Sequence, residues 1–142
     1  MIGYFDTSAV VPLAVAEPSS ARCAQLWRSC DVRVSSVLVI AEAQAALAMA
    51  LRMGRLTAEE HEATVESLSR RIEELDLSIV TRQIVDSAAG LALSHSLRGY
   101  DAVHAATAWA LKSDELVAVS GDRTLLDALA ALGVDTADAN AA

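Results

Sequence analysis

Short apolar runs recur between stretches of helical periodicity along the whole chain, and this alternation limits the possible folds more than any other feature. The strand candidates are Ile2–Phe5, Val32–Val34, Leu77–Val80, Leu116–Val119 and Val134–Thr136. Between them an apolar period near 3.6 predicts helices over Ala9–Ala16, Ala21–Cys30, Ser35-Ser36 to about Arg52, Thr57 to about Leu75, Thr81 through Ala92, Tyr100–Lys112 and Arg123–Leu132. Ser19-Ser20 and Ser35-Ser36 read as N-caps, Thr57-Ala58-Glu59-Glu60 as a capping box, and Gly54 and Gly133 as helix stops. Gly99 reads as a break and Asp138–Ala142 as a frayed tail. Strands separated by helices pair through crossovers, so the pattern predicts an α/β fold with a small parallel sheet. A length of 142 residues suits a single domain spanning the chain.

Composition removes several classes. Hydrophobic residues make up 54%, too many for a disordered chain. Eleven basic against nineteen acidic residues give a net charge of −8, which excludes a polybasic nucleic-acid coat protein and favours cationic partners. The longest uncharged stretches fall short of the roughly 18 apolar residues that a membrane span needs. Ala14-Val15-Ala16 imitates a signal cleavage site, but no Lys or Arg precedes it and Asp6 interrupts the apolar stretch. Cys23 and Cys30 share a predicted helix face about 10 Å apart along the axis, too far for a disulfide. Two buried thiols and a cytoplasmic location are expected.

In a parallel sheet, ligands bind beyond the carboxyl ends of the strands, where strand order reverses. Acids at those ends therefore carry the most information. Glu59, Glu60, Glu62, Glu66, Glu73 and Glu74 form the solvated face of one helix. Asp6 and Asp122 each follow a strand directly, and Asp101 lies in the first turn of a helix. Each of these three has a local explanation as a cap or a dipole partner. Glu42 has none. It lies inside the apolar segment Val37–Leu47, about two turns into its helix, where burial requires either an arginine partner or a shared functional pocket. Four converging carboxylates repel one another in a low-dielectric cleft, and a hard divalent cation relieves that repulsion. All-oxygen ligation suits Mg²⁺ or Mn²⁺, the ions of metal-assisted phosphodiester hydrolysis.

Phe5-Asp6-Thr7-Ser8-Ala9, the mid-helix Glu42, Tyr100–Ala106 and Val119–Leu125 together resemble the PIN-domain nucleases, and more closely the single-domain VapC toxins of bacterial toxin–antitoxin pairs. The ordered set covers nearly all of the chain. The resemblance implies one PIN domain over residues 1–142, built as an α/β/α sandwich on a five-stranded parallel sheet of order 3-2-1-4-5. It implies Asp6, Glu42, Asp101 and Asp122 as catalytic ligands of Mg²⁺ or Mn²⁺, with Ser8 and Ser120 supporting the acidic cluster. His104, one turn after Asp101, is expected to pack or hydrogen-bond rather than act as a base.

The resemblance also implies an endoribonuclease acting on tRNA or rRNA, a homodimer, and an antitoxin segment lying over the acidic pocket. Arg98 and Arg123 flank the motifs and are candidate phosphate contacts. Leu38, Ile40, Leu47, Met49, Leu51 and Met53 spread apolar surface round one helix, as an interface would. The competing readings are a housekeeping RNA-processing nuclease of the same fold and a catalytically silent PIN-like binding module. A haloacid-dehalogenase-type phosphatase needs an acid where Ser8 stands, and a receiver domain needs a late lysine at a strand end, where Lys112 is not found.

Overall fold

The computed structural model describes residues 1–142. Five strands form one parallel sheet in the order β3-β2-β1-β4-β5. They are β1 (Ile2–Phe5), β2 (Val32–Ser36), β3 (Asp76–Ser78), β4 (Leu116–Ser120) and β5 (Asp135–Asp138). The helices are α1 (Thr7–Val10), α2 (Ser20–Ser29), α3 (Leu38–Arg52), α4 (Ala58–Glu73), α5 (Arg82–His95), α6 (Gly99–Ala110) and α7 (Arg123–Ala131). No helix is long and apolar enough to cross a membrane.

The pleat of β1 divides the core. Tyr4 joins one buried cluster with residues of α5, α6 and α7, while Phe5 joins a second with residues of α1, α2, α3 and α4. Helices therefore cover both sides of the sheet, which is the three-layer sandwich the sequence implies. β1 has β2 on one side and β4 on the other, so strand order reverses between β1 and β4. The carboxyl ends of these two strands lead directly to Asp6 and Asp122.

Several local expectations shift for identifiable reasons. The first helix begins two residues early because Asp6 accepts a hydrogen bond from the Ala9 amide. It then tightens into a 3₁₀ turn at Val11–Leu13, where Pro12 has no amide to donate. Ser35 and Ser36 lie within β2, and the Ser35 hydroxyl donates to the Phe5 carbonyl at 2.6 Å. Glu42 is accordingly the fifth residue of α3, little more than one turn in. Ser19 makes no side-chain cap; the Ser20 hydroxyl instead accepts from the Glu17 amide and donates to the Val15 carbonyl. The break expected at Gly99 falls at Ser96, whose φ of 54° ends α5, and Gly99 opens α6. The edge strands β3 and β5 sit one or two residues from their expected places. Edge strands are short and half solvated, so alternation marks them poorly. Residues 138–140 are not frayed, because Asp138 closes β5, Ala139 is buried, and the Asn140 amide donates to the Gly121 carbonyl at 2.9 Å. Leu47, expected on an apolar surface, is fully buried.

The Thr57 capping box is present in both directions. Cys23 and Cys30 are buried free thiols. Gly3 marks the tightest packing in β1: a Cβ there would lie 2.5 Å from Cys30 Sγ and 2.6 Å from the Phe5 ring. Both neighbours are core atoms, so Gly3→Ala is expected to destabilise the fold by about 1–3 kcal/mol. Urea unfolding checks this, and an unchanged midpoint would mean that the strand can shift to make room.

Candidate active site

The cleft lies at the carboxyl end of the sheet, where β1 and β4 deliver their last residues. A pocket of about 380 Å³ is lined by Asp6, Thr7, Ser8, Glu17, Glu42, Arg98, Asp101, His104 and Asp122, with Val11 and Ala46. The four acids singled out in the sequence come from the end of β1, the second turn of α3, the first turn of α6 and the start of α7, and all of them face this one space. An adjoining lobe of about 410 Å³ shares Glu42, Arg98 and Asp101 and adds Gly99 and Tyr100.

Asp6 forms the floor and is 4% exposed. Its Oδ1 accepts from the Ser8 hydroxyl at 2.7 Å and the Ala9 amide at 3.2 Å, while Oδ2 accepts from the Ser120 hydroxyl at 2.8 Å. Ser8 also accepts from the Gly121 amide, and Ser120 from the Asp122 amide. The two serines thus tie the end of β1 to the turn after β4. Ser120 does this from behind the pocket wall, whereas Ser8 is part of the wall. Burial raises the Asp6 carboxyl from 3.8 to about 6, outweighing the hydrogen bonds from Ser8, Ser120 and Ala9 and the influence of His104.

Glu42 finds no arginine. Its Oε1 accepts from Thr7 Oγ1 at 2.9 Å and lies 2.6 Å from His104 Nε2. Burial pushes its carboxyl up, but the His104 contact and the Thr7 bond together hold it below the ordinary glutamate value. Asp122 uses Oδ1 to cap α7 through the Thr124 and Leu125 amides, leaving Oδ2 without a protein partner. Asp101 stands in the first turn of α6, with Arg98 Nε 3.7 Å from its Oδ2 as its only ion-pair partner. Burial raises the Asp101 carboxyl, and the nearby charges of Asp122 and Glu42 raise it further against the opposing pull of Arg98 and His104.

The acids surround a volume rather than converge on a point. No three His, Cys, Asp or Glu side chains are grouped closely enough to hold an ion as they stand. The donor set nevertheless has the chemistry of a hard-cation site. Five carboxylates including Glu17 line one cleft, free oxygens remain on Glu42, Asp101 and Asp122, no thiol is present, and Arg98 is the only arginine or lysine on the wall. Repulsion among those acids accounts for part of the Asp101 shift, as it would in any cleft awaiting a counter-charge.

Arg98 borders both lobes and its side chain is 91% exposed, so it remains available to a ligand. Arg123 does not line the cleft. Its guanidinium pairs with Asp138 at 2.9 Å and is largely exposed. Glu17, Thr7 and Tyr100 were not among the sequence candidates. Glu17 precedes a proline in what reads as an ordinary turn, Thr7 as a helix start and Tyr100 as a helix residue; only the fold carries them to the cleft.

Comparison with known proteins agrees with this architecture. A family model described as PIN domain matches residues 3–132. Ribonuclease VapC45 of Mycobacterium tuberculosis (strain CDC 1551 / Oshkosh) is 38% identical over 139 residues, covering 96% of this chain and 94% of that protein. Among solved structures, FitAcB from Neisseria gonorrhoeae shares the fold with a TM-score of 0.73 at 17% identity over 98% of each chain. VapBC2 from Rickettsia felis, bound to a DNA fragment from its promoter, shares it with a TM-score of 0.67 at 14% identity, covering 97% of this chain and 98% of that one. The family match over most of the length and the 38% identity place the chain in the PIN domain family and, within it, in the VapC group.

Proposed function

We propose that this chain is a divalent-metal-dependent endoribonuclease, a toxin restrained by a cognate antitoxin. The observation that carries the reading is the meeting of Asp6, Glu42, Asp101 and Asp122, from four separate segments, around one cleft. The ribonuclease name of a 38% identical relative supports it. Mg²⁺ or Mn²⁺ fits the oxygen-only donor set, with Glu42, Asp101 and Asp122 offering free oxygens and Asp6 anchoring the floor. When bound, such an ion supplies Lewis-acid polarisation of a phosphodiester and a more acidic water.

The remaining roles fall to the chain itself. Arg98 is placed to pair with a phosphate beside the cleft, and Tyr100, 64% exposed in the adjoining lobe, offers a ring face to an unstacked base. Single-stranded elements of tRNA or rRNA present such bases. A positive ion and Arg98 reconcile an acidic protein with a polyanionic substrate.

An apolar groove of about 260 Å³, lined chiefly by Val11, Val15, Ala46, Leu47, Met49 and Leu56, shares Val11, Glu17 and Ala46 with the cleft. It suits an antitoxin segment whose apolar residues fill the groove and whose basic side chain reaches the acids. Exposed Ile40, Met49 and Met53 on and after α3 support a protein interface there, with a homodimer as the resting form. A reducing cytoplasm suits the two free thiols.

Glu42→Gln is expected to lower Mg²⁺-dependent RNA cleavage by more than about 100-fold, beyond the effect typical of residues outside the ligand set, with the melting curve preserved. Cleavage at the wild-type rate would make Glu42 a structural residue. Met49→Glu puts a charge on the antitoxin groove but not in the cleft. It should weaken the complex by at least about tenfold and restore growth arrest when toxin and antitoxin are co-expressed, because interface anchors of this size contribute more than 1 kcal/mol.

Asp6 provides a pH test. Its folded carboxyl keeps a proton to about pH 6, whereas the unfolded one releases it near 3.8. The extra stability of the protonated folded form is present below about pH 4 and is lost as pH rises through 6, a swing of about 3 kcal/mol. Asp6→Asn never ionises and keeps the α1 cap. In chelator it should match wild type near pH 4 and exceed it above pH 6. Added Mg²⁺ should narrow the gap by stabilising only the wild type, and parallel melting curves at every pH would overturn this.

A further inference from the structure

Glu42 is gripped on one side only. Two hydrogen-bond donors meet at Oε1, from Thr7 on α1 and His104 on α6, and none reaches Oε2. His104 is 1% exposed, so water cannot satisfy its other ring nitrogen. That nitrogen, Nδ1, lies 2.7 Å from the Tyr4 hydroxyl, which is itself buried within β1. The Glu42 carboxylate can only accept, so the hydrogen between it and His104 sits on Nε2, while Tyr4 holds the ring from the far side. The two rings also pack edge to face, with centroids 5.9 Å apart and planes at 72°, which limits rotation of the imidazole.

This arrangement answers a specific problem. A glutamate side chain has three rotatable bonds, and the negative charges around the cleft drive it outward. An arginine partner would hold it but would cancel the potential that attracts a cation. An imidazole fixed from behind by the Tyr4 hydroxyl holds one carboxylate oxygen and leaves the other free. We propose that His104, oriented by Tyr4, is a positioning residue that turns Glu42 Oε2 toward the cleft for the divalent cation. The proposal rests on the metal-dependent reading above and adds to it the element that sets ligand geometry.

The test is calorimetric titration of the full chain with Mn²⁺ alone, with melting temperature recorded for each variant. His104→Leu should bind Mn²⁺ about 10–100-fold more weakly than wild type, the usual cost of losing a partner behind a metal ligand. His104→Gln, whose amide can donate from near the Nε2 position, should recover most of that loss. Tyr4→Phe should fall between His104→Leu and wild type, and it replaces His104→Leu in the comparison should the leucine variant fail to fold. In cleavage assays the Mg²⁺ concentration for half activity should rise while KM for RNA at saturating metal stays unchanged, a split that general loosening of the fold would not give. A metal-free readout comes from long-range proton–nitrogen correlation spectra, in which His104 should carry its hydrogen on Nε2. Wild-type Mn²⁺ affinity in folded His104→Leu, or an Nδ1–H tautomer, overturns the positioning role and leaves the metal reading intact. Wild-type protein that binds no Mn²⁺ overturns the metal reading first, and the positioning role with it.

Discussion

A carboxylate cut off from water terminates the central strand, and its requirements organise the chain around it. An isolated buried charge costs several kcal/mol, so Asp6 persists only because neighbouring groups converge on it. The Ser8 hydroxyl, the Ser120 hydroxyl and the Ala9 amide supply that convergence, and each is committed elsewhere as well. Ser8 and Ser120 also receive the Gly121 and Asp122 amides, so the loop carrying the second strand-end acid is located by the first. The start of α1, the end of β4 and the start of α7 are consequently one hydrogen-bonded unit. A substitution at any member reaches both the fold and the cleft.

Charge is distributed on the same plan. The protein is acidic overall, yet its cleft acids differ in what they have available. Asp6 is saturated with donors, Asp122 has given one oxygen to a helix end, Glu42 is held at one oxygen, and Asp101 is opposed only by a distant guanidinium. The gradient runs from a rigid floor to an open lip. The side chains form no tight ligand cage as they stand.

Much of this was legible in the residues, for reasons that differ from element to element. Central strands reveal themselves because both faces are buried, and Ile2–Phe5 appears with the boundaries expected of it. Asp6 and Asp122 were visible because a strand end followed by an acid has few meanings. Glu42 stood out because a mid-helix acid among apolar neighbours needs a partner. Which partner was not legible, since Tyr4, Glu42 and His104 are 38 to 100 residues apart and only the crossovers bring them together. Arg123 illustrates the converse. Its adjacency to Asp122 was plain, but its pairing with Asp138 on the edge strand, 15 residues further along, was not. The edge strands themselves lacked a readable period, because a half-solvated strand such as Asp135–Asp138 tolerates polar residues at most positions.

Asn140 ties the cleft to the last strand of the sheet. Its amide clasps the Gly121 carbonyl, and the Ala139 amide donates to the Ser120 carbonyl, so the bend that presents Asp122 is secured by residues nearly twenty positions later. β5 pairs with β4 along its whole length immediately before that clasp. Four strands and all four cleft acids precede this buttress in the sequence. The bend that presents Asp122 therefore depends on a later segment, and loss of residues 135–140 removes an edge strand and both of these hydrogen bonds together.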